Sequence, residues 1–199
     1  MKKMLLIIAM FSFALAGEMG LSTYGALNMA SIKYDPTNSD AAMKPGLVLG
    51  VNYNKLPVVL GVGISMRGDK VEGTGTMAGY TVTNSFTYLD ISAIYPYELG
   101  PGKVWAGLDI GMNLSAKYEV EYSGAAAALL IAAGQSTAST ETDIDDVNMD
   151  FGLILGYTYP VNELMGVYGS YYMGLSEITD DGGAKHSGIS FGISYALPY

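Results

Sequence analysis

Side chains alternate along most of this chain, and no other feature constrains its fold as tightly. In the last stretch, "KHSGISFGISYALPY", Ile189, Phe191, Ile193, Tyr195, Leu197 and Tyr199 take the odd positions. Gly188, Ser190, Gly192, Ser194, Ala196 and Pro198 take the even ones. Successive side chains of a β-strand point to opposite faces, so this stretch has one large apolar face and one small or polar face. A helix would scatter both sets.

The pattern recurs in "VNMDFGLILGYTY", where Val147, Met149, Phe151, Leu153, Leu155, Tyr157 and Tyr159 share a face. It recurs again in "VWAGLDIGMNLSAKYEVEY", with Val104, Ala106, Leu108, Ile110, Met112, Leu114 and Tyr118 opposite Gly107, Asp109, Gly111, Asn113, Ser115, Lys117 and Glu119. The small-residue face suits the crowded interior of a narrow barrel better than open water. Eight strands are predicted, near residues 20–32, 44–54, 57–68, 80–96, 103–119, 147–159, 164–176 and 186–199. Each is long enough to cross a bilayer at a tilt, which takes roughly 9 to 11 residues. The predicted fold is all-β: a closed antiparallel eight-stranded up-and-down transmembrane β-barrel.

The connections support closure across a membrane. "KLP", "YELGPG" and "PVNE" are short, whereas "KYDPTNSDAA", "GDKVEGTGTMAG", "EVEYSGAAAALLIAAGQSTASTETDIDD" and "EITDDGGAK" are long. Short turns on one side and long loops on the other are the asymmetry of an outer-membrane barrel, with the turns facing the periplasm. Tyr53, Tyr95, Tyr97, Tyr157, Tyr159, Tyr195 and Tyr199 fall near the turn-side strand ends, where amphipathic rings favour the membrane interface. Tyr199 also closes the alternating final strand, as a terminal signal for outer-membrane assembly machinery would.

Composition narrows the function classes. The 199 residues are 50% hydrophobic and 15% charged, with no Cys, which excludes disulfides, thiolate metal sites and a Cys nucleophile. "MKKMLLIIAMFSFALAG" has two lysines, an apolar run and an A-x-A arrangement at Ala14 and Ala16, so residues 1–16 read as a signal peptide and 17–199 as the barrel domain. Losing Lys2 and Lys3 takes the 10 basic residues to 8 against 19 acidic ones, a net charge of −11. Such an acidic balance argues against nucleic acid, which attracts clustered Lys and Arg.

In this order, "GLSTYGALNMASI", "KPGLVLGVNY", "TYLDISAIYPYEL", "DFGLILGYTY", "YYMGLSEITDD" and "SGISFGISYALPY" resemble the small porin-family outer-membrane β-barrel domain. The resemblance covers nearly all of the mature chain and implies that fold and the cell outer membrane as location. Two departures are the apolar insert 125–134 and Pro198–Tyr199, where the family often ends in Phe.

Inward charges are expected at Arg67, Asp90, Asp109, Lys117 and Asp150, as a polar plug with the two cations among the carboxylates. Isolated ions away from water are costly, and eight strands leave an interior that side chains nearly fill. No catalytic, cofactor or metal site is expected. His186, the sole histidine, precedes Ser187, but neighbours on a strand point to opposite faces, so the two form a poor catalytic pair. His186 is expected on an exposed loop. "ETDIDD" (Glu141, Asp143, Asp145, Asp146) and "EITDDGG" (Glu177, Asp180, Asp181) offer oxygen ligands without EF-hand spacing, and read as solvated acid.

"GAAAALLIAAG", residues 124–134, is apolar but too short to span: as a helix it would extend about 15 Å, half a hydrocarbon core. It reads as a short helix in the third outer loop, with Leu129, Leu130 and Ile131 seeking a surface to lie against. The expected role is surface interaction or envelope structure through long acidic outer loops. The alternatives are a narrow channel or binding site for small apolar molecules, and a soluble periplasmic ligand-binding barrel. The expected partners are outer-membrane lipid, lipopolysaccharide, the assembly machinery and a loop-bound surface partner, around a monomer that is not an enzyme.

Overall fold

The computed structural model describes residues 20–34, 41–73, 79–134, 139–180 and 183–198. Among them are nine strands: β1 (Leu21–Lys33), β2 (Ala42–Tyr53), β3 (Val59–Glu72), β4 (Tyr80–Leu99), β5 (Gly102–Tyr122), β6 (Ser139–Asp143), β7 (Asp150–Pro160), β8 (Met165–Gly174) and β9 (Lys185–Ala196). One helix, α1 (Gly124–Ala132), stands between β5 and β6. Residues 1–16 and Tyr199 lie outside the described residues.

Eight strands close a ring in the order β1-β2-β3-β4-β5-β7-β8-β9, every pair antiparallel. β9 returns to β1 in unbroken register from Ser22↔Ala196 to Lys33↔Lys185. Closure pairs the backbone groups that an open sheet would leave at its edges, which a lipid environment requires. The ninth strand, β6, lies outside this ring and pairs only with the far end of β5, from Lys117↔Asp143 to Glu121↔Ser139.

Burial is inverted relative to a water-soluble protein. Leu27 (67% exposed), Leu49 (60%) and Phe191 (66%) point outward, while Arg67, Asp69, Asp90, Asp109 and Asp150 are buried inside. Such an apolar exterior around a polar interior is stable only in lipid. Tyr95, Tyr97, Tyr157, Tyr159 and Tyr195 are exposed and Tyr53 half-exposed, all near the short-turn end. Register brings several of them to one level: Tyr97 and Tyr157 flank Val104, and Tyr195 opposes Met165.

Turn chemistry fixes that end. β4 and β5 are joined by Gly100–Pro101 alone, with Leu99 opposite Gly102 and Gly100 at φ 62°. A positive φ at the first of two turn residues suits the twist of a hairpin and is where glycine is favoured.

At the opposite end the rim is uneven. β7 begins opposite Gly111, yet β5 runs on to Tyr122, still paired with β4. β3 and β4 rise beside it, with Glu72 opposite Thr81. One wall of the barrel therefore stands well above the other.

Candidate functional site

Arg67 organises the lumen. β3, β4, β5 and β7 bring Asp90, Asp109 and Asp150 to nearly one level, since Gly63 pairs with Asp90, Asp90 with Gly111 and Gly111 with Asp150. The Arg67 guanidinium donates to Asp90 (2.7 Å), to Asp109 (2.9 Å) and to Asp150, and its Nε donates to Ser65 Oγ (3.0 Å). Its Cζ lies 4.1 Å from the Tyr172 ring centroid and 5.1 Å from that of Tyr88, within cation–π range. Planar geometry and permanent charge suit arginine to such a multi-carboxylate hub.

Above this layer the lumen turns apolar. Ile32, Phe86, Tyr88, Ala116, Ile178 and Ala184 form a buried cluster, with the His186 ring 5.0 Å from Phe86 and 5.4 Å from Tyr88. The segment after β8 folds inward to complete it: Asn148 N donates to Ile178 O (2.9 Å) and Ile178 N to Ala184 O (2.8 Å). Higher still, Tyr34 donates to Asp69 (3.0 Å) and Asn84 to the same carboxylate (2.8 Å). Burial and the Asp69 charge hold the Tyr34 phenol well above its ordinary value.

Below the hub lies a cavity of about 590 Å³ that reaches from Asp90 and Asp109 down to turn residues such as Pro101 and Glu163. Its wall is made of hydroxyls, amides and aromatic rings, including Tyr24, Asn52, Ser92, Trp105, Tyr168 and Ser194. Trp105 Nε1 donates to Thr158 Oγ1 (3.0 Å). The interior glycines make room for these rings: a Cβ on Gly156 would lie 2.3 Å from Trp105.

Two expectations need correcting. Lys117 is not in the lumen network; it stands on the raised wall, its side chain 43% exposed, and donates to Glu141 (2.6 Å). The cause is a β-bulge: Thr87 pairs with Ser115 and Tyr88 with Asn113, leaving Leu114 as an extra residue. Every side chain beyond it changes face, so Ala116 turns inward and Lys117 away. His186 is not an exposed loop residue either. It is 1% exposed, because β9 starts at Lys185 and carries it inward in step with Gly188 and Ser190. Its Nε2 lies 3.1 Å from the Tyr88 hydroxyl, while Ser187 Oγ is 3.1 Å from Ser31 Oγ, so histidine and serine have separate partners.

The other expected residues fall as follows. Arg67, Asp90, Asp109 and Asp150 come together in one layer. Leu129 (71% exposed), Leu130 and Ile131 (58%) lie on α1, none of whose residues is buried. Asp180 accepts from Asn148 (2.9 Å), and Asp181 lies outside the described residues. Missed by the sequence reading were Phe86 and Tyr88, although they share the parity of Asp90, and Ile178, whose inward fold has no periodic signal.

Residues 12–180 match the family model described as "Outer membrane protein beta-barrel domain". The chain belongs to that family. It is an outer-membrane barrel, and the soluble periplasmic alternative falls away with that membership. Among solved structures it is similar to Neisserial surface protein A (NspA), with a TM-score of 0.60 at 11% identity, covering 89% of this chain and 97% of that one. It is also similar to Ail, the attachment invasion locus protein of Yersinia pestis, with a TM-score of 0.52 at 14% identity, covering 89% and 99%. A second Ail structure, in complex with the heparin analogue sucrose octasulfate, has a TM-score of 0.50 at the same identity and coverage. At such identities the likeness shows the barrel fold. No curated protein sequence matches the chain.

Proposed function

We propose that this outer-membrane barrel works as a surface-interaction protein through its raised outer wall, and that its lumen conducts nothing. The observation that carries this reading is the succession of filled layers inside: the Arg67 hub and, above it, the Phe86–Tyr88–His186–Ile178 seal. A side chain held by three carboxylates is not displaced cheaply, since separating a buried ion pair costs roughly 3–5 kcal/mol. What remains available to a partner is the outer wall, with α1 at its end.

The reading is non-enzymatic. Tyr88 faces the sole histidine and Ser31 faces Ser187, so among the described residues His186 has no serine nucleophile aligned with it. Lipid and lipopolysaccharide surround the apolar belt of a monomer, and the assembly machinery reads its last strand. Ail has been solved with a sulfated ligand. This chain carries Glu119, Glu121, Glu141 and Asp143 around a single Lys117 on its β5–β6 hairpin, which disfavours a polyanion.

Planar-bilayer recording of the refolded protein tests the reading. The expected record stays at leak; reproducible single-channel steps from the intact protein would establish the narrow channel instead.

A further inference from the structure

We propose that helix α1 inserts into the outer leaflet of an apposed, uncharged membrane, so that the barrel tethers its own outer membrane to a second lipid surface. The inference rests on the surface reading above and names its partner: a bilayer.

The circumference of the helix comes first. Every residue from Ala125 to Ala133 is apolar, and none of α1 is buried against the barrel. A helix that docks in a protein groove buries one stripe and keeps a polar back. This helix has no polar back, so a groove would leave half of its apolar surface in water. Lipid covers all sides at once.

Length agrees. Nine residues make a helix of about 14 Å, close to half of a hydrocarbon core of about 30 Å. It fits within one leaflet and cannot cross two. Its flanks, Ser123 and Gly134, are small and uncharged, so neither drags an ion into the headgroups.

Height excludes the barrel's own leaflet. The apolar outward side chains of β5 end at Leu114; beyond the bulge come Ser115, Lys117, Glu119 and Glu121. Eight residues from Ser115 to Tyr122, at about 3.3 Å each and a tilt of about 40°, raise the helix roughly 20 Å above the apolar belt. The acyl chains beneath the barrel rim are out of reach.

Charge selects the surface. The hairpin under the helix carries four carboxylates and one lysine, Lys117, which Glu141 already pairs. That foot is repelled by anionic headgroups, its own lipopolysaccharide among them, and by a second copy of itself. A neutral bilayer imposes no such cost.

Flotation is the test. The full protein in phosphatidylcholine nanodiscs is mixed with separate phosphatidylcholine vesicles, and folding of every variant is checked by heat-modifiable gel migration. The wild type should float with the vesicles, less so when they are rich in phosphatidylglycerol. Leu129→Asp with Ile131→Asp should lower the floated fraction at least about tenfold, given the cost of carboxylates in hydrocarbon. A Leu130→Trp variant carrying Trp105→Phe should be quenched by brominated lipid in the added vesicles. Quenching by brominated lipid in the nanodisc instead would put the helix in its own leaflet and overturn the inference. So would flotation that the double Asp variant retains, or a helix-dependent dimer without vesicles. Failure to float while the bilayer record stays at leak overturns the tether and leaves the surface reading standing.

Discussion

Arg67 and Lys117 carry the same formal charge 50 positions apart, and the structure assigns them opposite weights. Arg67→Met leaves Asp90, Asp109 and Asp150 facing one another without a cation. We expect it to lower barrel stability by roughly 3–5 kcal/mol, read from the urea midpoint of the refolded protein. Lys117→Met, on an exposed pair, should leave that midpoint unmoved. A third residue reports on packing. Gly156→Val would drive a side chain into Trp105, the sole tryptophan. Overpacking of this kind costs about 1–3 kcal/mol, and the tryptophan emission maximum should shift with it. At this scale the carboxylate layer was legible from parity alone, because β4 and β7 and the lower half of β5 keep strict alternation. Lys117 was not, since one extra residue at Leu114 reverses every face beyond it and no side chain announces the bulge.

Among the elements, the eight membrane-crossing strands were legible because lipid outside and side chains inside impose a period of two on each. The third outer connection was not. It reads as one long loop with a short helix in it, yet it also holds the end of β5 and strand β6. β6, "STETD", is exposed at every position and has no apolar face to betray it; only its pairing with β5 makes it a strand. Helix α1 was legible from alanine content, though an isolated helix of nine residues is marginal in water. Since none of its residues is fully buried and only Ala126, Ala127 and Leu130 are half-buried, replacing residues 124–134 by a short Gly-Ser turn should leave the barrel heat-modifiable on gels. Loss of the folded band would mean that the helix belongs to the folding unit.

The whole molecule is a cup with its mouth at the short-turn end, the end that faces the periplasm in outer-membrane barrels. The 590 Å³ cavity reaches the Arg67 hub, and the Phe86–Tyr88 cluster lies on the hub's other side. Because the chain has no Cys, one introduced thiol can map that asymmetry. A Ser92→Cys variant in oriented membranes should react with an impermeant thiol reagent from the periplasmic side and stay unmodified from outside; labelling from both sides would mean an open path. The uneven rim has a mechanical consequence as well. All twenty residues of β4 are paired with β5, and α1 follows directly from the end of β5. A pull on the helix away from the cell runs along the strand and across its hydrogen bonds, so the ladder is loaded in shear, with many bonds sharing the force, instead of being peeled open one bond at a time. The tall wall is built as a strut that carries tension.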